Sequence, residues 1–342
     1  MVCGLFTSSL NTPFLNEYQQ NPGIVRFRDP LPAKTHNLRS QGSDMNLGSL
    51  RYRLSLRKPI PVKNLSKRLA RIAPDYFAGK IKNPFFIIGC NRSGKSLLAS
   101  TLAYHRRIAV YPEEGLELWH PQTFPWLHSS HRDYLPPYVF DPKEYSLLSL
   151  KFRTPSQEKY LQSVFGAYQS IMMRQVFLNE SSMTVFLIPY IFEKFPNARL
   201  IHIVRDGRAV AIASARNLHQ QIERDFEVFH KLGLAYPYDG LIKILAEHWN
   251  QNVEEVEKQK VALDLEKKQL LYELRYEDFC QQPNFYLSQI ASFMGISTEV
   301  YQRTDYSKLT NMNHEYNVDL DVEAMKALNR SMSPHLKRLG YA

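Results

Sequence analysis

Cysteine is scarce in this chain. Cys3, Cys90 and Cys280 are odd in number and widely scattered. They form no disulfide framework and no metal-ligand spacing, so a reducing compartment is the simplest setting. Long apolar runs are also missing. None approaches the ~20 residues that a membrane span needs, and no apolar stretch opens the chain as a secretory leader would. The expectation is a soluble, cytoplasmic protein. There is no internal repeat. Acidic residues fall short of basic ones, 33 against 43, leaving a net charge of +10. That excess points to a polyanionic partner. No nucleic-acid motif accompanies it, so a nucleic-acid partner is not expected. A multiply charged cofactor, an anionic acceptor, or a generally basic surface each accounts for the charge.

What is present supports an enzyme-sized core, with 44% hydrophobic residues in a chain of 342. That length admits two domains or one larger α/β domain. Residues 1–50 are rich in Asn, Pro, Ser, Gln and Gly and lack sustained periodicity. They read as a disordered or loosely packed arm, with residues 51–342 as the folded domain. Met45 is a second candidate start. From Arg51 to Arg71 the chain is strongly basic, and Leu65, Leu69 and Ile72 predict an amphipathic helix over Asn64–Ile72. A solvated helix packed on the domain edge is the favoured reading; contact with a membrane surface or an anionic acceptor is the alternative.

The chemistry is organised around Asn83–His105. Phe85, Phe86, Ile87 and Ile88 suit a buried parallel strand. Gly89-Cys90-Asn91-Arg92-Ser93-Gly94 then leads to Lys95-Ser96 and a helical pattern. The spacing Gly89-x4-Gly94-Lys95-Ser96 satisfies the P-loop pattern in its strand–loop–helix setting. Converging backbone amides and a helix N-terminus make a phosphate cradle, and Arg92 and Lys95 add full charges beside it.

Asn91-Arg92-Ser93-Gly94-Lys95-Ser96-Leu97-Leu98 resembles the PRSGTTLL loop of sulfotransferases. Arg199–Ala211, which contains Val204-Arg205-Asp206-Gly207-Arg208, resembles that family's VRDGRDVA signature. Arg275-Tyr276-Glu277-Asp278 resembles its RYED segment, and Leu339-Gly340-Tyr341 the LGY ending of bacterial members. The resemblance covers about Pro84 to Tyr341 and implies an α/β fold, a central parallel sheet flanked by helices with a P-loop-like first turn. It implies sulfuryl transfer from 3′-phosphoadenosine-5′-phosphosulfate (PAPS) to an acceptor hydroxyl, without a metal. Arg92, Ser93, Gly94, Lys95, Ser96 and Leu97 would hold the 5′-phosphosulfate, and Arg205 with Ser214 the 3′-phosphate. The family serine falls at Ala213 here, with Ser214 next to it. Glu114 or Glu113 would take the acceptor's proton, with His120, His128 and His131 as rival bases. Glu180 stands where many members carry a lysine beside the transferred group. Lys95, in place of the loop's first threonine, is expected to compensate and act in catalysis.

Elsewhere, Arg107–Tyr111 and Leu270–Tyr276 are strand candidates, and Ser156–Asn179 is the clearest helix, capped by Thr154 or Ser156. Leu241 to about Lys268 and Asn284–Met294 are further helices. A terminal helix from Asp319 should break at Pro334. The aromatic stretch Leu118–Pro155 is assigned to the acceptor pocket or its lid. Two alternatives stand beside sulfuryl transfer. A kinase using ATP and magnesium needs an acid at a strand end, where the run Leu200–Val204 offers Arg205 with Asp206 one place late. A non-catalytic relative that binds PAPS or a glycan follows from Glu180 and the displaced serine. Carbohydrate, lipid, peptide and small-metabolite acceptors all remain open.

Overall fold

The computed structural model describes residues 59–112, 114–120, 142, 143, 146, 150, 153–224, 238–313 and 322–341. The arm expected over residues 1–50, Glu113, His128, His131 and most of the aromatic stretch lie outside the described residues. In chain order the elements are α1 (Pro59–Ile72), α2 (Pro74–Ala78), β1 (Pro84–Ile88), α3 (Lys95–Leu102), β2 (Ile108–Val110), α4 (Leu116–Trp119) and α5 (Pro155–Met172). Next come β3 (Val176–Glu180), a 3-10 segment (Ser182–Leu187), α6 (Ile188–Lys194), β4 (Arg199–Val204), α7 (Gly207–Arg224) and α8 (Tyr238–Ala262). β5 (Leu271–Arg275), α9 (Tyr276–Gln281), α10 (Pro283–Phe293), α11 (Glu299–Arg303) and α12 (Val322–Arg338) complete the fold.

The five strands form one parallel sheet in the order β2-β3-β1-β4-β5. β1 is central and wholly buried. Its alternating side chains feed two cores. Phe86 and Ile88 pack with α5, α6 and Trp119, whereas Phe85 and Ile87 pack with α3, α9 and α10. Burying such a side chain is worth roughly 1.5–3 kcal/mol, so covering both faces of β1 fixes the sheet's centre. A third apolar cluster joins α7, α8 and α12. The chain leaves β1 for β2 and β3 on one side and reaches β4 and β5 on the other. The carboxyl end of β1 therefore lies at the switch point where ligands of open α/β sheets gather.

Several expectations need correcting. The helix expected over Ser156–Asn179 ends at Met172, because Met173 turns into the left-handed region at φ 53°. Residues 176–180 are strand β3, and Val176 belongs to that strand rather than to the helical stripe. Thr154 provides the cap, in a reciprocal box with Gln157. α12 runs through Pro334 without a break.

α1 begins five residues before Asn64 and packs along α5. Lys63 and Lys67 both pair with Glu117, at 3.2 and 2.7 Å, and Arg71 lies over the Tyr160 ring. Glu117 thus engages two of the helix's basic side chains within the fold, while Arg68 and Arg71 are exposed. No helix among the described residues is long and apolar enough to cross a membrane.

Candidate active site

The loop after β1 is held under tight steric control. Gly89 and Gly94 have φ 143° and 97°. A Cβ on Gly89 would stand 2.4 Å from the Ile203 carbonyl oxygen, and one on Gly94 2.5 Å from the Tyr276 ring. Only glycine fits at either end. Gly94 caps α3 without a side-chain hydrogen bond, so the first-turn amides point at the loop's mouth. Ser93 is buried, and its hydroxyl has no hydrogen-bond partner among the described residues. An unpaired hydroxyl beside first-turn amides fits an anionic group. Lys95 is buried and donates from Nζ to the Cys90 carbonyl at 2.8 Å, bracing the loop from within. The Arg92 side chain is exposed, and Leu97 packs partly against the core.

Arg205 sits at the end of β4, beneath the loop. Its Nη1 donates to the Arg92 carbonyl at 2.9 Å and its Nε to Asn313 Oδ1 at 2.8 Å, while the guanidinium lies 4.6 Å from the Tyr276 ring centroid. Behind it, the Trp249 indole donates to the Arg205 carbonyl at 3.1 Å. Glu277 accepts from the Asp206 amide, Asn313 and the Tyr341 hydroxyl, at 3.0, 2.6 and 2.8 Å. Arg208 grips Asp206 and the Tyr341 carbonyl. The three downstream signatures are thus one hydrogen-bonded assembly. Ser214 is buried two turns into α7.

On the other side of the loop, the Ser96 hydroxyl donates to Glu180 Oε1 at 2.7 Å. Ser96 is exposed at the mouth, whereas Glu180 is only 4% exposed and its Oε2 has no partner among the described residues. Burial and the neighbouring Glu114 carboxylate raise the Glu180 pKa to about 7, against the opposing pull of Lys95 and the Ser96 hydrogen bond. Glu114 follows β2 in the left-handed region at φ 53°. Its carbonyl accepts from Asn179 Nδ2 at 3.1 Å, and its Oε2 accepts from the Ser182 amide and hydroxyl, both at 3.2 Å. The carboxyl ends of β2 and β3 therefore set two acids beside the phosphate cradle.

Of the expected residues, the loop, Lys95, Arg205 and Glu114 converge at this end of the sheet. His120 is buried, and burial, with Arg153 nearby, lowers its pKa to about 3, which makes it a poor base near neutrality. Trp119 is core, with its indole bonded to Asn179 at 2.9 Å, and not part of an acceptor pocket. The run Leu200–Val204 ends at Arg205, whereas β3 ends in an acid, Glu180. Residue-by-residue reading missed Tyr276, Asn313 and His248. His248 is buried on α8, and burial together with the charge of Lys95 lowers its pKa to about 3. Among the described residues, no group of three or more His, Cys, Asp or Glu side chains is placed to hold a metal.

A family model described as "Sulfotransferase family" matches residues 84–300. No curated protein matches the chain. Among solved structures, sulfotransferase STF9 from Mycobacterium avium superposes with a TM-score of 0.53 at 11% identity, covering 85% of this chain and 86% of that one. The sulfotransferase domain from the curacin biosynthetic pathway gives 0.48 at 18% identity, over 77% of this chain and 99% of that one. Mouse sulfotransferase SULT7A1 complexed with PAP gives 0.42 at 12% identity, over 78% and 88%. The likeness to STF9 is one of fold alone. With the family model spanning well over half of its length, the chain belongs to the sulfotransferase family.

Proposed function

We propose that the protein transfers a sulfuryl group from PAPS to an acceptor hydroxyl. The observation that carries the reading is the cradle itself: two obligatory glycines, an unpaired buried Ser93 hydroxyl and a helix N-terminus at the switch point, within a chain of this family. The amides of Ser93–Ser96, with Arg92 and Lys95, hold the 5′-phosphosulfate. Arg205 and Ser214 hold the 3′-phosphate, which separates PAPS from ATP. Arg205 is already buried and oriented by Asn313 and Tyr276, so little ordering entropy is lost on binding.

Glu114 is the base. The acceptor oxygen attacks sulfur in line as its proton passes to the Glu114 carboxylate. The bond from sulfur to the 5′-phosphate oxygen breaks, and 3′-phosphoadenosine-5′-phosphate (PAP) leaves. Positioning and charge neutralisation on the transferred oxygens carry most of such a reaction. Residues 51–342 form the catalytic domain and residues 1–50 an arm. Two buried free cysteines, Cys90 and Cys280, suit a cytoplasmic setting. The test is PAPS turnover over a panel of hydroxyl acceptors, with PAP release as readout; a chain that binds PAP yet releases none from PAPS with any acceptor would favour the non-catalytic reading.

A further inference from the structure

The acid at the end of β3 has no evident part in sulfuryl transfer. Ser96, the last residue of the Gly89–Ser96 pattern, places its hydroxyl 2.7 Å from Glu180 Oε1. Glu180 Oε2 is buried and unpartnered among the described residues. Glu114 is held next to it by Asn179 and Ser182, which flank Glu180 on the same segment. The buried Glu180 carboxylate thus has the half-buried Glu114 carboxylate beside it. The charge of Lys95 acts on Glu180, but its Nζ donates to the Cys90 carbonyl. A buried carboxylate with an unused oxygen and a second acid beside it favours a bound cation. A hydroxyl and one or two carboxylates at the mouth of a phosphate cradle are the donor set of a small hard cation that takes its remaining ligands from phosphate and water.

We propose that Ser96 and Glu180, with Glu114 beside them, form a divalent-cation site that holds magnesium or manganese against a nucleotide phosphate bound in the loop. The shared chemistry is a hard cation bridging protein oxygens and an adenine-nucleotide phosphate; a nucleoside triphosphate and the 3′,5′-bisphosphate are its two sources. This goes beyond sulfuryl transfer and does not depend on it.

The probe is Mn2+, titrated into the full-length protein and counted from the free-ion electron paramagnetic resonance signal. One site per chain is expected, weakened by about 10-fold or more in both Glu180→Gln and Ser96→Ala. Two variants guard against a folding defect in either, and their melting curves in EDTA report it. Addition of ATP or of PAP should tighten Mn2+ binding to protein beyond the nucleotide's own chelation, and the more effective nucleotide identifies the phosphate source. No Mn2+ site in the wild type, wild-type affinity retained in both variants, or no effect of either nucleotide would overturn the proposal. PAP-induced stabilisation in EDTA without a Mn2+ site would defeat the cation and leave the PAPS reading standing. A Mn2+ site without PAP binding would do the reverse.

Discussion

The Tyr341 hydroxyl donates to Glu277 Oε2 at 2.8 Å, joining the segment after α12 to the carboxylate that receives the Asp206 amide beneath the phosphate loop. Tyr341 also stacks its ring 4.1 Å from the Arg275 guanidinium. Burial and the Glu277 charge push the phenol's pKa well above its ordinary value, so it stays protonated and donates throughout the physiological range. The final residues are therefore a strut for the Arg205 side of the cradle.

Tyr341→Phe should destabilise the fold by about 0.5–1.5 kcal/mol, since it removes a hydrogen bond to a half-buried carboxylate. Urea unfolding measures this. An unchanged midpoint and slope would mean that Glu277 is held by Asp206 and Asn313 alone.

Glu180 gives a pH signature in metal-free protein. Its folded pKa, raised to about 7, lies above the ordinary carboxylate value of 4.5. Between those values the folded state binds more protons than the unfolded state, so stability falls as pH rises from about 4.5 to 7 and then levels off. The contribution lost is up to about 3 kcal/mol. Glu180→Gln should flatten that slope in melts recorded in EDTA; a slope that persists in the variant assigns it to another group.

Glu114→Gln should lower kcat/KM by about 10²- to 10⁴-fold while leaving PAP-induced stabilisation intact. Wild-type turnover in this variant, with loss in Glu113→Gln, would transfer the role to the neighbouring acid.

Lys95→Ala should abolish turnover more than it weakens PAP binding, if Lys95 supplies the charge that a lysine at position 180 provides in other members. The side chain's 2.8 Å bond to the Cys90 carbonyl means that it must rotate to do so. A pure binding defect, with kcat preserved, would contradict the role.

The cradle and Arg205 were legible in the sequence because each is local: a glycine spacing and a strand-end arginine that nearby residues determine. The sheet was less so. Val176 continues the helical stripe of α5 by position, and the three apolar residues Val176, Phe177 and Leu178 carry no period of their own, so β3 reads as part of a helix. With β3 missing, the meeting of Ser96 and Glu180, 84 residues apart, had no basis in the sequence. Arg205 could be named, but not its clamp, because Tyr276 and Asn313 arrive from β5's exit and a later loop. Pro334 suggests a break by sequence alone, yet α12 continues through it with Met332 and Leu336 packed in the third core.

The most direct test of the central claim is thermal stabilisation of the purified protein by PAP, compared with AMP and with ATP plus magnesium. Binding to the native state raises the melting temperature by mass action. The account predicts a clear shift with PAP, none with AMP, and loss of the PAP shift in Arg205→Ala. A shift with ATP–magnesium alone would contradict the PAPS reading and remove the role given to Arg205.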